Sequence, residues 1–181
     1  AANVARQAQP GFALAEIVNI HSPGLRFEPI HRAIFCLDTN ALSEFIKKHP
    51  LIKSVTPAAE NDVRALLSSA EGQTKAAIYD GNNYFVLDFV DPSGKLPPAI
   101  IDEIYNSWNC SKEIKARIDF IHGWEDNKKL TKEGAVACFV PVIARERLFQ
   151  WVAQNGPLPR KAFSMGDAEE KKYYMECRRI R

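Results

Sequence analysis

Thr74-Lys-Ala-Ala-Ile-Tyr-Asp-Gly-Asn-Asn-Tyr-Phe-Val-Leu-Asp-Phe-Val90 is the stretch that decides the fold. Two strand-like runs, 74–79 and 84–90, flank Asp80-Gly81-Asn82-Asn83. Gly and Asn accept the left-handed backbone of a tight reversal, and Asp bonds the amides that follow it, so the composition predicts a β-hairpin. A hairpin sets its strands antiparallel, whereas parallel neighbours need a long crossover. A hairpin among short helices therefore favours a mainly antiparallel or mixed sheet over a doubly wound parallel one.

Working upstream, Phe12 to Asn19 reads as a strand with apolar residues on both faces and Glu16 as its single charge. His21-Ser-Pro-Gly24 is a turn by composition, and Ile30 to Leu37 reads as a strand opened by Glu28-Pro29. Asp38-Thr-Asn40 can cap a short helix over 41–48, with Leu42, Phe45 and Ile46 facing the core and Pro50 ending it. Thr56-Pro57 matches a helix start, with Thr as cap and Pro in the first turn. Val63, Leu66, Leu67 and Ala70 would be its apolar stripe and Gly72 its stop.

Downstream, Pro97-Pro98 opens a helix with Ile100, Ile101, Ile104, Tyr105 and Trp108 at helical spacing. Ala116 to Ile121 and Val136 to Val140 read as strands, with a short helix over Trp124 to Leu130 between them. Arg145 to Gln154 reads as a helix with Leu148, Trp151 and Val152 facing in and Gly156 as its stop, and Lys172 to Arg178 as the last strand. The expectation is an α+β (mixed α/β) layer fold, with about seven strands in a mainly antiparallel or mixed sheet and four or five short helices. Residues 1–10 are small and polar and are expected to be loosely ordered, with 11–181 forming one domain.

The formal charge of +2 argues against nucleic acid as a partner, although residues 156–181 hold a net +3. Cys36, Cys110, Cys138 and Cys177 are far apart in sequence, which fits reduced thiols rather than a disulfide framework or a zinc site. The four histidines are dispersed, so no metal site is expected, and no motif names a cofactor. No apolar run is long enough to cross a membrane. No signal peptide follows Ala1, and there is no initiator Met. A cytoplasmic chain, processed or cut from something longer, is expected.

Glu28-Pro-Ile-His31-Arg32 sets a carboxylate, an imidazole and a guanidinium at the mouth of a strand. Such a set can bind a phosphate or carboxylate, with Arg32 bidentate and His31 as donor or general base. Alternation along a strand sends His31 and Arg32 to opposite faces, and the competing reading is a Glu28–Arg32 ion pair with a hydrogen-bonded His31. Gly156-Pro-Leu-Pro-Arg-Lys-Ala-Phe-Ser-Met-Gly166 presents Arg160 and Lys161 from a loop stiffened by proline, with Ser164 available to complete an anion nest. A rigid connector with solvated cations is the plainer alternative. Asp119 and His122 end a strand but fall on opposite faces.

Three segments together resemble the bacterial and archaeal family called domain of unknown function 1015: 15–20 leading to Phe27-Glu-Pro-Ile-His-Arg-Ala-Ile34, then Ile118-Asp-Phe-Ile-His-Gly123, then Gly156 to Gly166. The resemblance implies that this chain is the C-terminal half of such a protein. The Asp-Gly and His signature of the family's N-terminal half is absent from it. That signature resembles one in sulfiredoxin- and ParB-type nucleotide-binding proteins, some of which phosphorylate small molecules such as serine. By the resemblance, His31 is a candidate catalytic residue, and Arg32, Arg160, Lys161 and Ser164 are candidate binding residues. The implied partners are the N-terminal half and a phosphorylated small molecule, with a homo-oligomer also compatible. Ala162 stands where the family often has a hydroxyl residue, which puts any side-chain oxygen role there in doubt. The expected function is a cationic wall for a phosphometabolite or nucleotide. The alternative is a structural or dimerisation domain.

Overall fold

The computed structural model describes residues 19–91 and 94–166. They form an α+β fold around a seven-stranded sheet. The strands are β1 (Phe27–Phe35), β2 (Ile52–Ala58), β3 (Lys75–Tyr79), β4 (Tyr84–Phe89), β5 (Arg117–His122), β6 (Ala135–Phe139) and β7 (Phe163–Met165). The order is β2-β4-β3-β6-β1-β5, with β7 added to the start of β1. Every described pairing is antiparallel. The β3–β4 hairpin sits where its turn residues place it. Asp80 Oδ1 accepts from the amides of Asn82 and Asn83, both at 2.9 Å, and Gly81 takes a φ of 102° that few side chains allow.

Five helices cover the sheet: α1 (Thr39–Lys48), α2 (Glu60–Leu67), α3 (Pro97–Ser111), α4 (Trp124–Lys129) and α5 (Leu148–Asn155). Alternation on β1 and β6 sorts their side chains into two cores. On one side, Ile34, Val136, Cys138 and Val140 meet Leu42 and Ile46 of α1 and Ile100, Ile101, Ile104 and Trp108 of α3. On the other, Ala137 and Phe139 meet Val63 and Leu67 of α2, and Trp124 of α4 packs against them. Helices thus lie on both faces of the sheet, and each face of β1 looks into a different interior.

Local chemistry accounts for the boundaries that sequence placed well. Asp38 accepts from the Ala41 amide at 2.8 Å and caps α1, and Pro97 and Pro98 occupy the first turn of α3, where an amide proton has no helical partner. Thr56-Pro57 is not a helix start. It ends β2, and α2 begins at Glu60 without a side-chain cap. The sheet explains this: β2 is an edge strand, and an edge tolerates a proline that donates no ladder bond. Gly72 does not end α2 directly. It sits where a Cβ would lie 2.0 Å from the Leu66 carbonyl oxygen, so it permits a close backbone approach.

The expected count of strands is met with different members. β2 and β7 were not anticipated, while the runs expected at 12–19 and 172–178 lie, apart from Asn19, outside the described residues. Val152 faces outward on α5, and none of that helix's residues is fully buried. Cys36, Cys110 and Cys138 are free thiols, and Cys177 lies outside the described residues. No described helix is long and apolar enough to cross a membrane.

Candidate functional site

Arg32 is completely buried, which for a guanidinium requires that its donors be satisfied. Its Nε donates to Asp102 Oδ1 at 3.1 Å and Nη2 to Asp102 Oδ2 at 3.4 Å, a forked pair with α3. Nη1 donates to the Ile30 carbonyl on its own strand and to the Lys161 carbonyl at 3.2 Å. Nη2 also donates to the Arg160 carbonyl at 3.3 Å. All five N–H groups of a guanidinium are thereby engaged. The Glu28–Arg32 ion pair considered from sequence is absent, because Glu28 and Arg32 are two strand alternations apart and Asp102 lies under Arg32 instead. Arg32 holds a loop in place and has no N–H left for a ligand.

The loop it holds is Arg160-Lys161, just before β7. Ser164 pairs with Glu28 in the β7–β1 ladder, Phe163 stacks on Phe27 at 4.3 Å, and the Gly166 amide donates to the Arg26 carbonyl at 2.9 Å. Lys161 has a φ of 53°, the single non-glycine residue with positive φ among those described. Left-handed backbone is costly for a lysine and persists where the surroundings over-determine it. Here the Arg32 bonds to the carbonyls of Arg160 and Lys161 supply that determination. Ala162 is buried next to it, which leaves little room for a larger polar side chain.

Arg160 and Lys161 are exposed, and neither has an ion-pair partner among the described residues. The Arg160 guanidinium lies over Phe120, 5.4 Å from the ring centroid, and lines a hollow with Asp102, Tyr105, Asn106 and Asp119. Both carboxylates of that hollow already serve other cations: Asp102 pairs with Arg32 and Asp119 with Arg117. The loop therefore offers two adjacent positive charges from a fixed backbone.

His31 points to the opposite side of β1, as alternation requires. It is 3% exposed and sits edge-on to Phe139 and Trp124. Its Nδ1 accepts from the Val140 amide at 3.3 Å, which leaves the ring proton on Nε2. Burial, then the nearby Arg32, His122 and Arg64, pushes the imidazole down to about 3. Such a ring stays neutral at ordinary pH and is a weak base. It can act as a hydrogen-bond donor, one of the two tasks expected of it, and is poorly suited to the other, general base.

His31 lines a cleft of about 360 Å³ with Glu28, Arg64, Ser68, Trp124 and Pro141 among its walls. Arg64 was not singled out in sequence. It donates to Glu60 at 2.6 Å and to Glu125, and its guanidinium covers Trp124 at 4.5 Å. The spacing of Glu60 and Arg64 at i, i+4 was a visible signal of a helical ion pair. The contact with Glu125 depends on α4 packing beside α2 and had no local signal. The candidate residues thus gather around the start of β1 but divide between its two sides. Arg32 lies on the α3 side and bonds the Arg160-Lys161 carbonyls, while His31 lies on the α2–α4 side. Asp119 and His122 do not form a pair, and no group of His, Cys, Asp and Glu among the described residues has the geometry of a metal site.

No protein-family model matches the chain, and no curated protein matches its sequence. Solved structures do share the fold. A conserved hypothetical protein from Pyrococcus furiosus superimposes with a TM-score of 0.60 at 15% identity over 83% of this chain and 60% of its own. A free serine kinase in complex with AMP gives a TM-score of 0.57 at 15% identity, covering 83% of this chain and 58% of the kinase. A mutant of a free serine kinase, also with AMP, gives 0.58 at 12% identity, covering 82% and 57%. The chain spans about three-fifths of the length of the structures it matches.

Proposed function

We propose that this chain contributes a cationic wall to a binding site for a nucleotide or phosphorylated metabolite, completed by the remainder of a longer protein. The observation that carries this reading is the Arg160-Lys161 loop. Two neighbouring cations without ion-pair partners among the described residues stand on a backbone held by a fully buried arginine, with Lys161 in the left-handed region. A phosphate is recognised by cations and amides fixed before it arrives, so the restraint lowers the ordering cost of binding. The likeness in fold to AMP-bound structures supports the same class of ligand. In this reading Arg32 is a positioning residue, and Ser164 orders the loop through β7. His31 is a neutral donor on the far side of the strand.

The test is Lys161→Ala in the full-length protein, titrated with AMP and with inorganic phosphate. The expected result is an affinity loss of at least tenfold with an unchanged melting temperature. Unchanged affinity for both would overturn the proposal.

A second reading, a structural or self-associating domain, rests on exposed apolar residues. Leu37 is 84% exposed and Ile114 67%, both at the rim of one cleft, and Phe149 on α5 is 68% exposed. Light scattering across a concentration series tests it. A dimer that Leu37→Asp disperses would support this reading, and a monomer at all concentrations would remove it.

A further inference from the structure

The sheet ends in two edge strands that are built differently, β2 and β5. At the β2 edge Lys53 is exposed, the register with β4 shifts between Ile52 and Ser54, and Pro57 has no amide to offer. A charge, an irregular register and a proline are devices by which an edge refuses a further strand. β5 keeps an unbroken register with β1 from Arg117 to His122 and contains no proline. Its charges Arg117 and Asp119 pair with each other. Among the described residues no strand pairs with its outer side, so every second amide and carbonyl of β5 points away from β1 without a ladder partner. A straight row of such groups is a template for one more strand.

The two faces of β5 set what that strand must look like. Ile118 and Phe120 lie opposite Ile34 and Arg32 and share their α3 side, where a hollow of about 660 Å³ opens between β5 and Tyr105 and Asn106 of α3. Arg117 and Asp119 occupy the other face, with side chains 63% and 38% exposed. An added strand must therefore turn apolar side chains toward α3 and polar ones away from it.

Lys171-Lys-Tyr-Tyr-Met-Glu176 has that alternation, and it lies outside the described residues. The Gly166 amide donates to the Arg26 carbonyl at 2.9 Å, which fixes where the connection to this segment starts. Five Cα steps from Gly166 to Lys171 reach about 17 Å. From Arg26 to Ile30, which His122 opposes, is about 13 Å along the chain. The connection thus reaches the His122 end of β5, and a segment continuing from there runs antiparallel to it. A short tether also gives the segment a high effective concentration at this edge.

Charge selects the register. With Lys171 opposite His122, Tyr173 meets Phe120 and Met175 meets Ile118 on the α3 face, while Glu176 meets Arg117 on the other. Sliding two residues one way opposes Arg117 to Arg178 and Asp119 to Glu176, two like-charge pairs. Sliding two the other way sets Lys171 against Phe120 on the apolar face, and a slip of one inverts the faces altogether.

We propose that residues 171–176 add to the outer edge of β5 as an antiparallel strand and seat Tyr173 in the hollow beside α3. The contact uses the backbone of β5 and stands independently of the phosphate reading.

Hydrogen exchange and NOEs on the full-length, isotope-labelled protein test this. The β5 amides that point away from β1 are expected to exchange at least tenfold more slowly than exposed loop amides. NOEs are expected between the Phe120 and Tyr173 rings and between Ile118 and Met175. Tyr173→Asp, which sets a carboxylate against Phe120, should speed exchange of the outward amides at least tenfold and leave the β5 amides bonded to β1 protected. Should the variant loosen those as well, the wild-type NOEs decide. Outward amides as fast as loop amides would overturn the proposal. So would protection that Tyr173→Asp leaves unchanged, which assigns the edge to another part of the protein, and protection that grows with protein concentration, which assigns it to a second copy. Helical NOEs through 171–176 would overturn it too.

Discussion

His31 and Arg32 are neighbours in the chain and opposites in the structure. Each is buried and polar, and each sits on the same strand, but alternation sends them into different interiors. Arg32 meets Asp102 and three backbone carbonyls and spends every donor on the protein. His31 meets one amide and keeps a donor for the cleft. A buried polar group whose bonds are complete is part of the architecture; one that retains a donor toward a cavity is available for a ligand. The difference also assigns the loop cations: Arg32 holds the backbone, and Arg160 and Lys161 carry the exposed charge.

The largest test of this contrast is Arg32→Ala. Removing one partner of a buried, forked ion pair leaves Asp102 and the Arg160 and Lys161 carbonyls without their donors. The expected loss is about 3–5 kcal/mol in denaturant unfolding. Arg32→Lys should recover little, because an ammonium cannot reproduce the planar fork. Combining Arg32→Ala with Asp102→Ala should cost less than the sum of the two. A loss under about 1 kcal/mol for Arg32→Ala would place it on a surface rather than in a clamp.

The next effect is the pH dependence from His31. Its folded value is about 3, against 6.5 when unfolded, so below 6.5 the unfolded chain binds the extra proton. The stability contributed by the neutral ring is complete above 6.5 and is lost as pH falls from 6.5 toward 3. The slope from this residue alone is about 1.4 kcal/mol per pH unit inside that window. Glu60, held down to about 2 mainly by its hydrogen bond from Lys128, adds a loss that begins as pH falls through its ordinary value of 4.5 and is complete near 2. Unfolding curves between pH 6.5 and 5 therefore isolate His31 from Glu60. A His31→Phe variant should be flatter over that interval, and an unchanged slope would mean that the imidazole is solvated.

A smaller effect sharpens the account of the loop. Lys161→Gly removes the cost of left-handed backbone but adds unfolded-state entropy, for a net gain of up to about 1 kcal/mol. A measurable destabilisation would mean that the lysine side chain itself supports the fold. The smallest effect is expected of Arg160→Ala. It leaves the carbonyl that Arg32 uses and should change stability by no more than about 0.5 kcal/mol.

The sheet's character was legible because the β3–β4 hairpin is encoded locally, in an Asp and a Gly that do their work within four residues. The start of α1 at Asp38 and of α3 at Pro97 was legible for the same reason. Thr56-Pro57 misled because the same dipeptide suits a helix start and the end of an edge strand, and only the sheet order decides between them. β7 is three residues long, too short to leave a pattern. His31, Arg32, Arg160, Lys161 and Ser164 were visible as residues of interest. Their division was not, since Asp102 lies 70 residues from Arg32 and Lys161 lies 129. Arg64 became part of the picture only once α2 and α4 were seen side by side.

The central claim is that the Arg160-Lys161 loop receives a phosphate. The most direct measurement is an NMR titration of the full-length, isotope-labelled protein with AMP, reading the backbone amides residue by residue. The account predicts saturable shifts concentrated at residues 160–164, with the Arg32 Nε–H resonance perturbed through the loop carbonyls and the same shifts lost in Lys161→Ala. Saturable shifts that leave residues 160–164 unmoved, or that persist in Lys161→Ala, would contradict it.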